Sequence, residues 1–415
     1  MFRILIAIVS ALPGVVTSTA VRALEPLSLE DAVSIAISAR DPTVTRFEER
    51  AAALDERAVS DSQLPDPKLR FELRNFPVDT FRLGQEPMTQ IQVGLQQTFE
   101  RGKTLAFTRE QREAEAKAER AGLVLRERDI VLETRTTWLE LFYWLGARTK
   151  VAESRQAVSE LVEVATAIFA TGRETSQDIL RAELELSILD DRMVDVERQI
   201  EMARVGLARL IGWEPAQGPL QPSLPVLARP SPPDAVRDLL PRHPSVSIED
   251  ARIEARAREI DIARQQYKPG WSVNAGYGVR GGGRTDFATV GVSLDLPVFT
   301  GKRQDRKVAA AQRDRQAARL ERDARLLDLN RVLDRTHADW SRLGDRVRLY
   351  RQVVIERAAE TTDAALAAYR SGVSDFAELV RARLAELDAE LTLLRLEVQR
   401  AQAQAQLLYF EGESR

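Results

Sequence analysis

Two very long stretches without proline constrain the fold of this chain more than any other feature of its sequence. Residues 103–169 and 302–369 contain no Pro, and within them Gly occurs only at positions 122, 146 and 344. At a rise of about 1.5 Å per residue, each stretch would form a helix about 100 Å long. Because a globular domain does not accommodate helices of this length, the two stretches predict a coiled-coil rod or tube.

The long helices belong to an internal duplication of the chain. Residues 24–212 and 234–412 each contain the order helix, helix, strand, strand, long helix, turn, helix. The stretch 213–233 between them is Pro-rich and has no periodicity, which predicts a linker or a small equatorial insert. The other predicted helices are 28–40, 43–63, 174–211, 245–266 and 375–410, and the predicted strands are 68–76, 89–99, 271–279 and 286–299.

The four predicted strands alternate apolar and polar residues, which is the pattern of a sheet with one apolar and one polar face. Leu69, Phe71 and Leu73, for example, alternate with charged residues in 68–76. Four such strands cannot close a barrel alone, and lipid does not tolerate the edges that they would expose. Two solutions remain, a soluble sandwich packed on helices and a barrel assembled from several chains. We favour the barrel, because three chains supply twelve strands. The predicted fold class is therefore an α+β membrane protein, with a trimeric 12-stranded β-barrel of four strands per chain continued by a long α-helical coiled-coil tunnel.

The first 23 residues have the pattern of a secretory signal peptide. Arg3 precedes an apolar stretch over 4–16, and a small–x–small cleavage pattern follows at 21–23. A membrane anchor is the alternative, but the stretch is short and Pro13-Gly14 interrupts it. The chain contains no Cys, so disulfides, thiolate metal sites and a lipidated N-terminal Cys are excluded. The net charge of −3 favours neither nucleic acid nor an anionic membrane surface as a partner.

No pattern in the sequence indicates an enzyme, a cofactor or a metal site. The segment "ERGKT" ends like a phosphate-binding loop, but Gln97 stands where such a loop needs Gly. His243 precedes Pro244 at a helix boundary, which indicates a structural role. His337 stands in the second long helix with one carboxylate three residues before it. One His and one carboxylate make a poor metal site, so both read as helix-surface residues.

The duplication repeats one helix-breaking turn, "FATGRETSQDILRA" at 169–182 and "YRSGVSDFAELVRA" at 369–382. Each copy contains a Gly, which can adopt the left-handed conformation that ends a helix, followed by an acid and then by an Arg. Acid and Arg at positions i and i+3 share one face of a helix, so one interpretation is a solvated intrahelical pair worth well under ~1 kcal/mol. The repeated positions are Gly172, Asp178 and Arg181 in the first copy and Gly372, Glu378 and Arg381 in the second.

Together these features resemble the outer-membrane efflux factors, the TolC-type tunnel proteins. The resemblance rests on the duplicated strand–strand–long-helix plan, on "LPVFTGKRQ" leading into a long Ala/Arg/Gln helix, and on the repeated turn, and it extends over nearly all of 28–412. The segments "GLQQTFERGKTLAF" at 94–107 and "PVFTGKRQDRKVAAA" at 297–311 are most similar to the heavy-metal branch, the CzcC-type.

The resemblance implies a homotrimer in the outer membrane of a Gram-negative cell, extending through the periplasm. Its implied partners are a periplasmic adaptor (membrane fusion protein) and an inner-membrane pump of the resistance-nodulation-division (RND) type. The implied function is a passive conduit that exports small solutes, heavy-metal cations first. With no Cys and two His, the chain would conduct metals rather than select them. Multidrug efflux and a type I protein-secretion duct remain alternatives within the fold, and a soluble periplasmic coiled-coil scaffold remains an alternative outside it.

The resemblance also implies that the repeated turn is the periplasmic tip, where the tunnel closes and the adaptor docks. Tyr369 matches a Tyr latch of the drug-exporting members, whereas Arg381, like Arg181, stands where those members have a second acid. We therefore hypothesise that Glu378 and Arg381 form inter-chain salt bridges that hold the resting tunnel closed. The implied gate residues are Asp178, Arg181, Tyr369, Glu378 and Arg381, and the implied adaptor-docking residues are Phe169, Gly172 and Gly372.

Overall fold

A computed structural model of the chain describes residues 26–169 and 176–412, and for residues 168, 169, 176 and 178 it describes the backbone alone. The signal peptide predicted over 1–23 lies outside the described residues. The first repeat consists of α1 (Leu29–Ser38), α2 (Pro42–Ser60), β1 (Lys68–Arg74), β2 (Gln90–Phe99), α3 (Thr104–Phe169) and α4 (Ser176–Ile211).

The second repeat follows a short helix in the linker, α5 (Trp213–Gln217). The long helix of the second repeat is interrupted by a π-helical turn. The sequence, in contrast, predicts one continuous helix over 302–369. Strand β4 ends at Asp295, whereas the alternation predicts a strand to 299, because Pro297 has no N–H to donate to a ladder. The elements are α6 (Pro233–Leu239), a 3₁₀ turn (Leu240–Arg242), α7 (Pro244–Gln265), β3 (Gly270–Arg280), β4 (Phe287–Asp295), α8 (Gln304–Leu349), the π-helical turn (Tyr350–Val354), α9 (Ile355–Arg370) and α10 (Phe376–Glu411).

The four strands form one antiparallel sheet in the order β1-β2-β3-β4. The β2–β3 pair joins the two repeats, with Gly94 opposite Gly276, and leaves β1 and β4 as the edges. The register places the even-numbered residues of β1, β2 and β3 and the odd-numbered residues of β4 on one side, which we call the polar face. The opposite, apolar face is open in the single chain, where Phe71 is 72% and Val290 is 78% exposed. The alternation in the sequence therefore translates directly into two faces of opposite polarity.

The helices pack into an elongated body whose largest buried cluster surrounds the middle of α3. Trp138, Leu139 and Leu141 are fully buried there, and α1, α4, α5, α10 and Leu27, which precedes α1, pack against α3 in this cluster. Smaller buried clusters continue along the body toward the turn between α9 and α10. None of the described helices has an apolar stretch long enough to span a membrane.

The second helix of each repeat begins at a capped residue followed by Pro. Asp41 Oδ1 accepts a 2.7 Å hydrogen bond from Thr43 N, and His243 Nδ1 accepts one of 3.3 Å from Ser245 N. His243 thus has the structural role that the sequence indicates. His243 is 2% exposed, and burial, with the nearby positive charges of Arg128 and Arg325, lowers its pKa to about 4.

We expect His243→Asn to remove an acid-labile contribution to folding. The pKa of His243 is 6.5 when unperturbed and about 4 in the folded chain, so the unfolded chain binds the proton more tightly. The contribution is therefore complete above the unfolded pKa and is lost as the pH falls from 6.5 toward 4, by up to ~3 kcal/mol. Asn keeps the cap and does not titrate. Urea unfolding in detergent, compared at neutral and acidic pH, should show a smaller acid loss for the variant; equal losses in both proteins would contradict the assignment.

Candidate channel wall and tip gate

The polar face of the sheet has the features of a water-filled wall. Its side chains surround a hollow of about 420 Å³ over the middle of the sheet. A Cβ at Gly276 would lie 2.6 Å from Gln92 Nε2, so the Gln side chain of β2 lies flat across the glycine of β3. This close approach keeps long polar side chains against the sheet and leaves the space above them open.

Several charged residues lie on the polar face, and two carboxylates among them are paired with arginine. Glu72 Oε2 lies 3.3 Å from Arg74 Nε, which belongs to the same strand. Asp295 Oδ2, at the end of β4, lies 3.7 Å from Arg101 Nη2. Arg280 donates to two backbone carbonyl oxygens and lies 4.0 Å from the centre of the Phe287 ring. The remaining charged residues of the polar face in these strands are Lys68 and Arg70.

These charges are not among the functional residues predicted from the sequence, although the signal for them is present there. Alternation in 68–76 places Lys68, Arg70, Glu72 and Arg74 on one face, and this face is the one that a barrel turns toward water. A count of charge sign along that face would have identified the surplus of cations.

The turn between α9 and α10 has the conformation that the repeated motif predicts at its glycine. Gly372 has a φ of 74°, and no neighbouring atom lies within 4 Å of an added Cβ. Val373 N donates to Ala368 O at 3.0 Å, which closes the end of α9. Asp375 then caps α10 by accepting a 2.8 Å hydrogen bond from Glu378 N, a contact that is not predicted from the repeated motif.

The predicted gate residues of the second repeat lie on the two helices that flank this turn. Tyr369 packs edge-on against Phe376, with 5.5 Å between ring centres. Arg381 Nη2 lies 2.7 Å from Glu378 Oε2 on the same helix, and both side chains are more than half exposed. The structure of one chain therefore shows the intrahelical pair, and the inter-chain latch stays a prediction.

The corresponding arginine of the first repeat lies across the same cleft. Arg181 on α4 and Arg381 on α10 both line a cleft of about 370 Å³, together with Phe376. Ala182 and Val380 also line the cleft, and both are buried in one small hydrophobic cluster. The fold thus brings together in one cleft the two repeated arginines, which are separated by 200 positions in the sequence. Gly172 and the side chains of Phe169 and Asp178 lie outside the described residues.

We expect Arg381→Gln to raise the closed-state current of the reconstituted protein if the predicted latch exists. The variant removes the cation that an inter-chain bridge needs, and Glu378→Gln should raise the current to the same extent. Arg383→Gln is the matched control, because Arg383 forms the same kind of i,i+3 pair, with Glu386 at 2.7 Å, on the same helix. Single-channel recording compares the four proteins. Unchanged current in Arg381→Gln would contradict the latch.

Neither histidine has the surroundings of a metal ligand. His337 lies 6.0 Å from the Trp340 ring, and Asp334 pairs with Arg237 at 2.7 Å. Across residues 26–169 and 176–412, no group of three or more His, Cys, Asp or Glu is placed to hold a metal ion.

The sequence of the second repeat matches a known family. Residues 235–412 match the family described as outer membrane efflux protein. The chain is also 31% identical over 172 residues to the fusaric acid resistance protein FusA of Burkholderia cepacia. That match covers 38% of this chain and spans about a third, 32%, of the length of the relative.

Solved structures share the fold over nearly the whole chain. A membrane protein from Pseudomonas aeruginosa superposes with a TM-score of 0.79 at 17% identity, covering 92% of each chain. The open state of the Neisseria gonorrhoeae MtrE outer membrane channel superposes with a TM-score of 0.72 at 16% identity, covering 92% of this chain and 88% of the other. The predicted fold class and the TolC-type resemblance are confirmed. The heavy-metal, CzcC-type branch stays a prediction.

Proposed function

We propose an export channel built from three copies of this chain, which belongs, through residues 235–412, to the outer membrane efflux protein family. The observation that carries the proposal is a four-stranded amphipathic sheet with two free edges, joined to a helical body by α3 and α8. Lipid tolerates neither open edges nor the polar face. Pairing β1 of one copy with β4 of the next removes the edges and closes twelve strands around a polar lumen.

The channel lies in the outer membrane, with the helical body extending into the periplasm. It is a conduit and catalyses no reaction. The tip formed by the hairpins of the two repeats is the end that faces the inner membrane, where a periplasmic adaptor and an RND-type pump would dock. The cleft lined by Arg181 and Arg381 is the part of this tip that offers apolar surface together with charge, as an adaptor contact would need.

The exported substrate is a small solute. Heavy-metal cations are the prediction from the CzcC-type resemblance, and export of a small organic compound is the second candidate. The second candidate is favoured by the relative FusA, whose name refers to resistance to fusaric acid. A type I protein-secretion duct has no such support among these relatives.

Fractionation and reconstitution test the proposal. We expect the mature protein in the outer-membrane fraction, as a trimer whose migration in detergent changes on heating, and we expect it to form pores in planar bilayers. A soluble periplasmic scaffold predicts the opposite result in all three measurements. Sensitivity of a deletion strain to metal salts and to fusaric acid then separates the two substrate candidates.

A further inference from the structure

We infer that the barrel wall favours small organic anions over metal cations, and that Arg70 is a residue that sets this preference. The inference rests on the proposed channel, because only a closed barrel makes the polar face a lumen. It names the substrate class that the wall selects, anions such as carboxylates.

Arg70 stands on the polar face with its charge uncompensated. Its side chain is exposed, and no other described residue forms an ion pair or a hydrogen bond with it. The residues that follow it across the sheet are Gly94, Gly276 and Thr289. This row contains no acid. Gly94, directly opposite Arg70, has no side chain that could cover the guanidinium, whereas Gln92 lies across Gly276 farther along the row. The long Arg side chain therefore has room to reach a solute in the lumen.

The carboxylates of the polar face do not cancel this charge. Glu72 is held by Arg74, and Asp295 is held by Arg101 at the base of the sheet. β1 is an edge strand, so the neighbouring copy places its β4 beside Arg70. The polar-face residues of β4 above Asp295 are uncharged: Phe287, Thr289, Gly291 and Ser293.

Three copies therefore bring three arginines into the lumen at one level. Low-dielectric walls focus the field of such charges and raise the local concentration of counter-ions. Guanidinium pairs with a carboxylate through two parallel hydrogen bonds, whereas it repels a divalent cation. Because salt screens charges beyond about 8 Å at physiological ionic strength, the preference belongs to the wall near Arg70.

The loops at the outer mouth do not share this surplus. The segments 77–88 and 281–286 carry Asp79, Glu86 and Asp286 against Arg82 and Arg284. The mouth and the wall therefore differ in sign, and the experiment has to probe the wall itself, independently of the mouth and of the tip.

A single cysteine in the wall provides that probe, because the chain contains no other thiol. Thr289→Cys lies in the row of Arg70, and Thr80→Cys in the outer loop reports the intrinsic reactivity of an exposed thiol. Purified trimers are treated with an anionic and with a cationic methanethiosulfonate reagent, and the ratio of the two modification rates is measured. At Thr289→Cys we expect the anionic reagent to be favoured relative to Thr80→Cys.

Two variants of opposite charge change are expected to shift the ratio of modification rates in opposite directions. Arg70→Gln should lower the anion-to-cation ratio at Thr289→Cys about fivefold at low ionic strength, and added salt should shrink the difference. Glu72→Gln, a matched change of opposite charge two residues away, should raise the ratio because it removes the carboxylate that neutralises Arg74, while Arg74 keeps its hydrogen bond to Gln92 Oε1. Neither variant should change the ratio at Thr80→Cys.

A result that contradicts the role of Arg70 differs from a result that contradicts the proposed channel. A ratio at Thr289→Cys that Arg70→Gln leaves unchanged, or that both charge variants shift in the same direction, overturns the inference and leaves the channel intact. If neither reagent modifies Thr289→Cys while both modify Thr80→Cys, the polar face does not line water, and the proposed channel itself is wrong.

Discussion

Replacing Val290 by lysine is expected to abolish assembly of the protein in the outer membrane, whereas the same change at the adjacent Thr289 is expected to be tolerated. Val290 lies on the apolar face of β4 and is 78% exposed in the single chain, while Thr289 lies on the polar face. A lysine on the lipid face of a barrel costs about 2–4 kcal/mol at the bilayer midplane. Because a trimer carries three copies, the total cost is about 6–12 kcal/mol, comparable to the whole stability of an ordinary domain.

The comparison isolates the face of the sheet from every other property of the substitution. The two positions are neighbours in one strand, and both variants replace a β-branched residue of similar size by the same lysine. Heat-modifiable trimers in the outer-membrane fraction are the readout, with insertion into vesicles as an independent one. Equal loss in both variants would mean that β4 does not sit between lipid and lumen, and equal tolerance would mean that the sheet does not meet lipid.

The two faces of the sheet could be predicted from the sequence because side-chain direction in a strand has a period of two. This period is a local property of a strand, so it does not depend on how the rest of the chain packs. The end of β4 was not predicted correctly, since Leu296 and Val298 continue the alternation after the ladder has stopped. The missing hydrogen-bond donor of Pro297 decides where the ladder ends, and alternation does not register it.

The interruption of the second long helix has no comparable signal. The π-helical turn Tyr350–Val354 contains neither Pro nor Gly, and the apolar pattern runs through it. A π turn accommodates one extra residue in a helix, so its position depends on tertiary contacts on either side. Arg351, which pairs with Glu397 of α10, is one such contact. Sequence periodicity alone contains no record of that partner.

At the turn between α9 and α10, the repeated motif predicted the turn but not the partners of its charges. Spacing placed Glu378 and Arg381 on one face of a helix, and they pair there at 2.7 Å. The meeting of Arg181 with Arg381 in one cleft depends on α4 packing beside α10, a contact between the two repeats. Duplication reveals that two residues are equivalent, but only the packing of the repeats shows that they are neighbours.

Trp138 connects the core of the helical body to two segments that have little structure of their own. Its indole Nε1 donates a 3.3 Å hydrogen bond to Leu27 O, just before α1. Leu27 in turn forms a parallel β-bridge with Leu220 of the Pro-rich linker. In this bridge Leu27 N donates to Pro219 O at 2.8 Å, and Gln221 N donates to Leu27 O at 3.2 Å. One buried side chain thus fixes the start of the first repeat against the linker between the repeats.

Trp138→Ala should therefore destabilise the helical body by about 3–5 kcal/mol, because it leaves a large cavity in the fully buried cluster around α3. It should also release the bridge, so the amide hydrogens of Leu27 and Gln221 should exchange with solvent much faster than in the unmodified protein. Trp138→Phe is the control: it retains a ring that can stack on Phe142, 5.6 Å away in the present core, and it loses the hydrogen bond but leaves a much smaller cavity than Ala does, so the expected cost is about 1–2 kcal/mol. Hydrogen exchange read by mass spectrometry, with urea unfolding in detergent, separates the cavity from the hydrogen bond. If the amides of Leu27 and Gln221 exchange as slowly in both variants as in the unmodified protein, contacts other than those of Trp138 hold the residues before α1 against the linker.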